Sequence, residues 1–193
     1  MPGPDAPRKV CRFRPSPPPD DPVYIPVPDD GLCLNVFPLL TEPRRPDRVL
    51  MGRIDASFDW RRIGGMHPKR VADLADRWML PSRQLFLYEA PSEAAKLILE
   101  EQLGLESLYL KGPEVISDVW ERPEPVGKGP HWDLSFIYRG EWPPGRQLHS
   151  APWRELAFKN PLILDPQEVG RHHLDVLALA GFASSTSPPT AHA

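Results

Sequence analysis

Cysteine is nearly absent from this 193-residue chain. Only Cys11 and Cys33 occur, in different surroundings and without metal-ligand spacing, so a reducing cytoplasm is the expected compartment. No basic-then-apolar leader and no long apolar run is present, which argues against a secretion signal and a membrane-spanning helix. Charge of one sign does not dominate either: 23 Lys plus Arg against 26 Asp plus Glu leave a formal −3, too little to indicate nucleic acid or an anionic membrane as partner. Gly64-Gly65 and Gly127-Lys128-Gly129 lack the spacings of phosphate-cradling P-loops and dinucleotide loops, and no G-x-S-x-G nucleophile motif occurs.

Proline is what the chain has in excess, with 27 residues, 13 of them within positions 1–46. Residues 1–22, including Pro17-Pro18-Pro19, lack apolar periodicity and read as a solvated, extended or disordered segment. Ser184–Ala193 is similarly low in complexity, so 183–193 is expected to be a flexible tail. The remainder, 23–182, suits one domain with a core of ordinary size.

Within that domain, Leu80–Glu106 (LPSRQLFLYEAPSEAAKLILEEQLGLE) organises the rest, because it reads as strand, loop, capped helix and glycine stop in one run. Pro91 suits a first helical turn, and Glu93 places negative charge at the helix's positive end. Ala94, Ala95, Leu97, Ile98, Leu99 and Leu103 make an apolar surface too wide for a free amphipathic helix, and Gly104 ends it near Leu103. Such a helix belongs inside a layered fold.

This stretch resembles the signature of the Nudix hydrolase superfamily, G-x5-E-x7-R-E-U-x-E-E-x-G-U, with U a bulky aliphatic. Without gaps, Glu89 falls on the first glutamate, and Leu99, Glu101, Gly104 and Leu105 fall on U, E, G and U. Pro91, Glu93, Ala94 and Ala95 fit the usual helix entry. The box is degenerate: Arg83 stands at the leading glycine, Leu97 and Ile98 replace Arg-Glu, and Gln102 replaces the second glutamate of Glu-Glu. The resemblance implies an α+β fold, a Nudix-type α/β/α sandwich with a mixed sheet.

In a helix, positions 98, 101 and 102 share one face. In the family that face carries three carboxylates, which suit hard cations such as Mg2+. Here it reads Ile98, Glu101, Gln102, with one charge. By the resemblance, Glu101 is the metal ligand, Glu89, Glu101 and Glu124 are the catalytic candidates, and Gln102 and Glu121 the cofactor-binding ones. Mg2+ or Mn2+ would be the cofactor, weakly bound. Helical spacing puts both positions on the face of Glu101, and the resemblance then implies that, where the phosphate-binding geometry survives, Ile98→Glu with Gln102→Glu would rebuild three carboxylates and create Mg2+-dependent pyrophosphatase activity, at a cost in stability if Ile98 is packed.

The rest follows in order. Gly31–Leu40 and Arg48–Ile54 read as strands of a hairpin with Glu42–Asp47 as its turn. Asp59–Arg77 reads as a helical insertion, with Gly64-Gly65 a break and Val71, Leu74 and Ala75 at helical spacing. Trp78–Pro81 leads into the box as a short strand. Leu108–Trp120 is a strand pattern broken at Gly112-Pro113, expected to pair with His131–Arg139. In that second strand Trp132, Leu134, Phe136 and Tyr138 share an apolar face, and His131, Asp133 and Ser135 begin a polar one that could look into a site. Glu121–Pro130 is a loop supplying Glu121 and Glu124. Glu155–Leu164 gives a last strand and Pro166–Gly181 a closing helix. His172 and His173, being adjacent, cannot ligate one metal from one helical face and read as surface or core residues. The six tryptophans read mostly as packing.

Three functions fit this sequence. The principal expectation is a protein that binds a small nucleoside-diphosphate-type ligand with weak or lost metal-dependent hydrolysis. The second is an active Mg-dependent hydrolase of a diphosphate linkage, with Glu89, Glu101 and one of Glu121 or Glu124 as a rebuilt metal site. The third is an interaction domain whose pocket is filled by side chains such as Ile98. A homodimer is left open.

Overall fold

The computed structural model describes residues 12–13, 32–86, 88–121, 130–149, 151–170 and 173–182. Apolar and β-branched runs bounded by turn residues become the strands that carry the sheet. They are β1 (Arg12–Phe13), β2 (Leu32–Glu42), β3 (Arg45–Ile54), β4 (Trp78–Met79), β5 (Arg83–Gln84), β6 (Lys111–Glu121), β7 (Pro130–Glu141) and β8 (Trp153–Lys159). The helices are α1 (Trp60–Gly64), α2 (Pro68–Leu74), α3 (Pro91–Leu97) and α4 (His173–Leu179). Two residues from the proline-rich extension, Arg12 and Phe13, pair with Cys33 and Leu32. The rest of that extension and the C-terminal tail lie outside the described residues.

The sheet is mixed. β2 and β7 run parallel over Leu32–Thr41, and every other pairing of strands is antiparallel. Its backbone order is β4-β3-β2-β7-β6, with β1 and β5 also on β2 and β8 on β3. The β2–β3 turn is tighter than the sequence suggests: only Pro43 and Arg44 connect the strands, and Arg44 adopts φ 62°. The break expected at Gly112-Pro113 is a register shift between Lys111 and Glu114 within one continuous β6.

Strand alternation assigns each face of the sheet to a helical layer. Val36 and Tyr138 pack with Leu85, Ala94, Ala95 and Ile98 of the box. On the same side Leu99, Leu103 and Leu105 join Trp60, Ile63 and Val71 of the insertion. The opposite face, through Phe37, Leu39, Ile116 and Ile137, packs on Val176, Leu177 and Ala180 of α4. The box helix is therefore apolar over a wide surface because it lies between the sheet and α1. The arrangement is an α+β sandwich with two helical layers.

The closing helix is shorter than its sequence pattern. Pro166–Glu168 forms a 3-10 turn, Val169 bridges to Trp78, and the Gly170 N–H donates to the Trp78 carbonyl at 2.9 Å, so residues 166–170 are not part of the helix, which among the described residues is His173–Leu179. β8 likewise stops at Lys159: Asn160 accepts from the Leu162 N–H and Pro161 starts a 3-10 turn. His173 is a core histidine whose Nδ1 accepts from the Leu80 N–H at 2.7 Å. Among the described residues no helix is long and apolar enough to cross a membrane.

Candidate functional site

β5 places the first site residue. Arg83 pairs with Val36 and Gln84 with Asn35, so alternation sends Arg83 to the box-helix side, where Val36 packs, and Gln84 to the other. The loop that follows is closed twice over Glu89. Its N–H donates to the Phe86 carbonyl at 3.1 Å, and its Oε2 accepts from the Phe86 N–H at 3.1 Å. Between them Tyr88 is held at φ 67° and is 89% exposed.

The helix then begins as its sequence dictates. Pro91 occupies the first turn, and Glu93 Oε2 accepts from the Ala90 N–H at 3.1 Å, so an otherwise unsatisfied donor is capped. From Ile98 to Gln102 the turn widens to π geometry, with i→i+5 bonds. Gly104 at φ 63° and a 2.8 Å bond from the Leu105 N–H to the Leu99 carbonyl tie off the end.

On this helix, Ile98 and Gln102 are fully buried. Gln102 Nε2 donates to the Ile63 carbonyl at 2.8 Å and to the Ser82 carbonyl at 2.9 Å. Glu101 alone of the three reaches outward, its side chain 22% exposed. It meets Glu89 across a common partner. Arg83, whose side chain has no exposed surface, places its two terminal guanidinium nitrogens 3.2 Å from Glu89 Oε1 and 3.4 Å from Glu101 Oε2. The guanidinium carbon lies 4.7 Å from the centre of the Phe86 ring, so an aromatic face covers the cation.

The fold thus joins Glu89 with Glu101 and keeps Gln102 behind the helix, bound to backbone. Glu121 ends β6, its backbone paired with Pro130, and Glu124 lies outside the described residues. Sequence reasoning met Arg83 only as a departure from the leading glycine. The signal available was a single cation preceding the two acids that survive in the box.

Divalent-metal chemistry, implied by the superfamily signature, can be tested against these donors. The Arg83 guanidinium already lies between the two carboxylates, Gln102 offers its amide to carbonyls, and Ile98 offers nothing. Among the described residues no three of His, Cys, Asp and Glu are grouped to hold a metal ion. Among the described residues, these donors do not fit a divalent ion in this arrangement.

On the opposite sheet face, the polar edge expected of β7 is real. Asn35 Nδ2 donates to Asp133 Oδ1 at 2.8 Å, and Ser135, opposite Asn35, is buried.

No protein-family model matches the chain, and no curated protein matches it by sequence. Among solved structures, the dihydroneopterin triphosphate pyrophosphohydrolase of E. coli aligns with a TM-score of 0.51 at 12% identity, covering 76% of this chain and 92% of that one. The Nudix domain of NrtR from Shewanella oneidensis, solved with ADP-ribose, gives 0.49 at 15% identity, covering 78% and 87% respectively. A MutT Nudix hydrolase from Burkholderia pseudomallei gives 0.46 at 17%, covering 76% and 96%. At 12% identity the first of these likenesses speaks to architecture alone. With the box on a loop–helix–loop against a mixed sheet, and a second helix across the other face, the chain has the Nudix fold.

Proposed function

We propose that this Nudix-fold chain binds a small nucleoside-diphosphate-type ligand in the cytoplasm, with metal-dependent hydrolysis weak or lost. One observation carries the reading: the helical face expected to present three carboxylates buries Ile98 and Gln102 and commits the Gln102 amide to two backbone carbonyls. A hard cation needs anionic oxygen to offset its dehydration, and only Glu101 remains on that face to supply it. Binding has no such requirement, because a fold hosts recognition as readily as catalysis.

The experiment has two arms. Calorimetry with a panel of nucleoside diphosphate derivatives, ADP-ribose among them, should show binding in the absence of divalent metal. Phosphate release across the same panel with Mg2+ or Mn2+ should stay at the level of Glu101→Gln. Metal-dependent turnover that Glu101→Gln abolishes would overturn the proposal in favour of a rebuilt hydrolase drawing on Glu89, Glu101 and Glu121 or Glu124. Absence of binding across the panel would favour the interaction domain.

A further inference from the structure

We propose that Glu89 and Glu101 form a cation site which the chain fills with its own Arg83, and that a divalent ion binds there once the guanidinium is removed. This goes beyond the ligand-binding reading and stands or falls independently of it.

The geometry is that of a bridged cation rather than a simple ion pair. One guanidinium reaches two carboxylates from two elements, the loop after β5 and the end of the box helix, through a different nitrogen for each. Both carboxylates are largely withdrawn from water, with side-chain exposures of 10% and 22%. Two glutamates and one arginine leave a formal charge of −1 in this trio. Without the arginine the two carboxylates would lose the cation that bridges them, and buried charge left without its partner is strongly destabilising. A dication restores neutrality, and carboxylate oxygens suit Mg2+ and Mn2+. Glu101, the more exposed of the pair, opens on solvent, which supplies the waters such ions retain. Glu89 is already oriented, because its second oxygen accepts from the Phe86 N–H.

Arg83→Ala is the test, with Mn2+ as the probe. The variant should melt below the wild type, and its Tm should rise with the logarithm of Mn2+ concentration, as binding to the native state alone requires. Electron paramagnetic resonance should count one bound Mn2+ per chain in the variant and none in the wild type. Free guanidinium ion at millimolar concentration, far below denaturing levels, should also raise the Tm and should compete with Mn2+. Adding Glu101→Gln should abolish both effects. If Arg83→Ala folds only in the presence of either cation, the result supports the proposal equally. Failure to fold in both, a Tm indifferent to both, or a Mn2+ effect that survives Glu101→Gln would overturn it, since a merely structural salt bridge gives those outcomes.

Discussion

Gln102 ties the box helix to Ser82, 20 residues earlier, through a 2.9 Å bond from its amide nitrogen to the serine carbonyl, and the same nitrogen reaches Ile63 of α1. A carboxylate cannot replace it, because it would turn acceptor oxygen toward two acceptors in a fully buried position. Gln102→Glu should cost at least about 3 kcal/mol, from two lost hydrogen bonds and an uncompensated buried charge. Urea denaturation measures it, and a loss under 1 kcal/mol, or about one ordinary hydrogen bond, would contradict the buried role. The rebuild suggested by helical spacing is corrected here. Ile98→Glu with Gln102→Glu is expected to prevent folding rather than create pyrophosphatase activity, since Ile98 packs against Val36, Leu85 and Tyr138.

Gly52 is a second point of close approach. A Cβ built there would lie 2.4 Å from Trp153 Cε3 and 2.6 Å from Trp153 Cδ2, and Trp153 in turn meets Trp60 edge-on at 4.7 Å. Gly52→Ala should therefore push Trp153 off β3 and destabilise by about 1–3 kcal/mol, the usual cost of overpacking. Near-ultraviolet circular dichroism should change together with the melting temperature. An unchanged spectrum and Tm would show that the tryptophan moves without cost.

Arg44 should behave in the opposite way. Its φ of 62°, exposed in the two-residue turn after Pro43, is a conformation that disfavours a side chain. Arg44→Gly relieves that strain and gives back part of it in unfolded-chain entropy, for a net gain of about 0.5–1 kcal/mol. Thermal melts decide the sign.

Tyr138 supplies a pH signature. Burial raises its phenol above the ordinary value of 10.0, so the neutral form is favoured in the folded state. That contribution is intact below pH 10 and is lost as pH rises through the folded pKa, because the unfolded chain releases the proton first. Tyr138→Phe should flatten the alkaline limb of the stability curve above pH 10 while leaving the neutral region nearly unchanged. An identical alkaline limb in both proteins would assign it to other groups.

The long strands and the box helix were legible in the sequence because local signals coincide with tertiary demand. β2 and β7 are apolar runs bounded by turn residues, and Pro91, Glu93 and Gly104 mark the helix ends where the fold needs them. The closing helix was overestimated because its first half is captured by Trp78, 92 positions upstream of Gly170, through backbone groups that leave no mark on side-chain periodicity. The site was half legible. The resemblance named Glu89 and Glu101 as candidates, but the meeting of both with Arg83 depends on β5 docking on β2, and the π turn alters the faces that α-helical spacing assigns.

The parallel pair at the centre of the sheet has a consequence in time. Asn35 and Asp133, bonded across β2 and β7, are separated by 98 residues of chain, and the whole box lies between them. A ribosome making this protein must therefore release the chain through β7 before its middle can close, and the hairpin of β2 and β3 must wait with one edge open. Non-local pairing of this kind slows folding. Refolding is expected in the millisecond-to-second range rather than in microseconds, with the box helix gaining protection from hydrogen exchange only when β7 arrives.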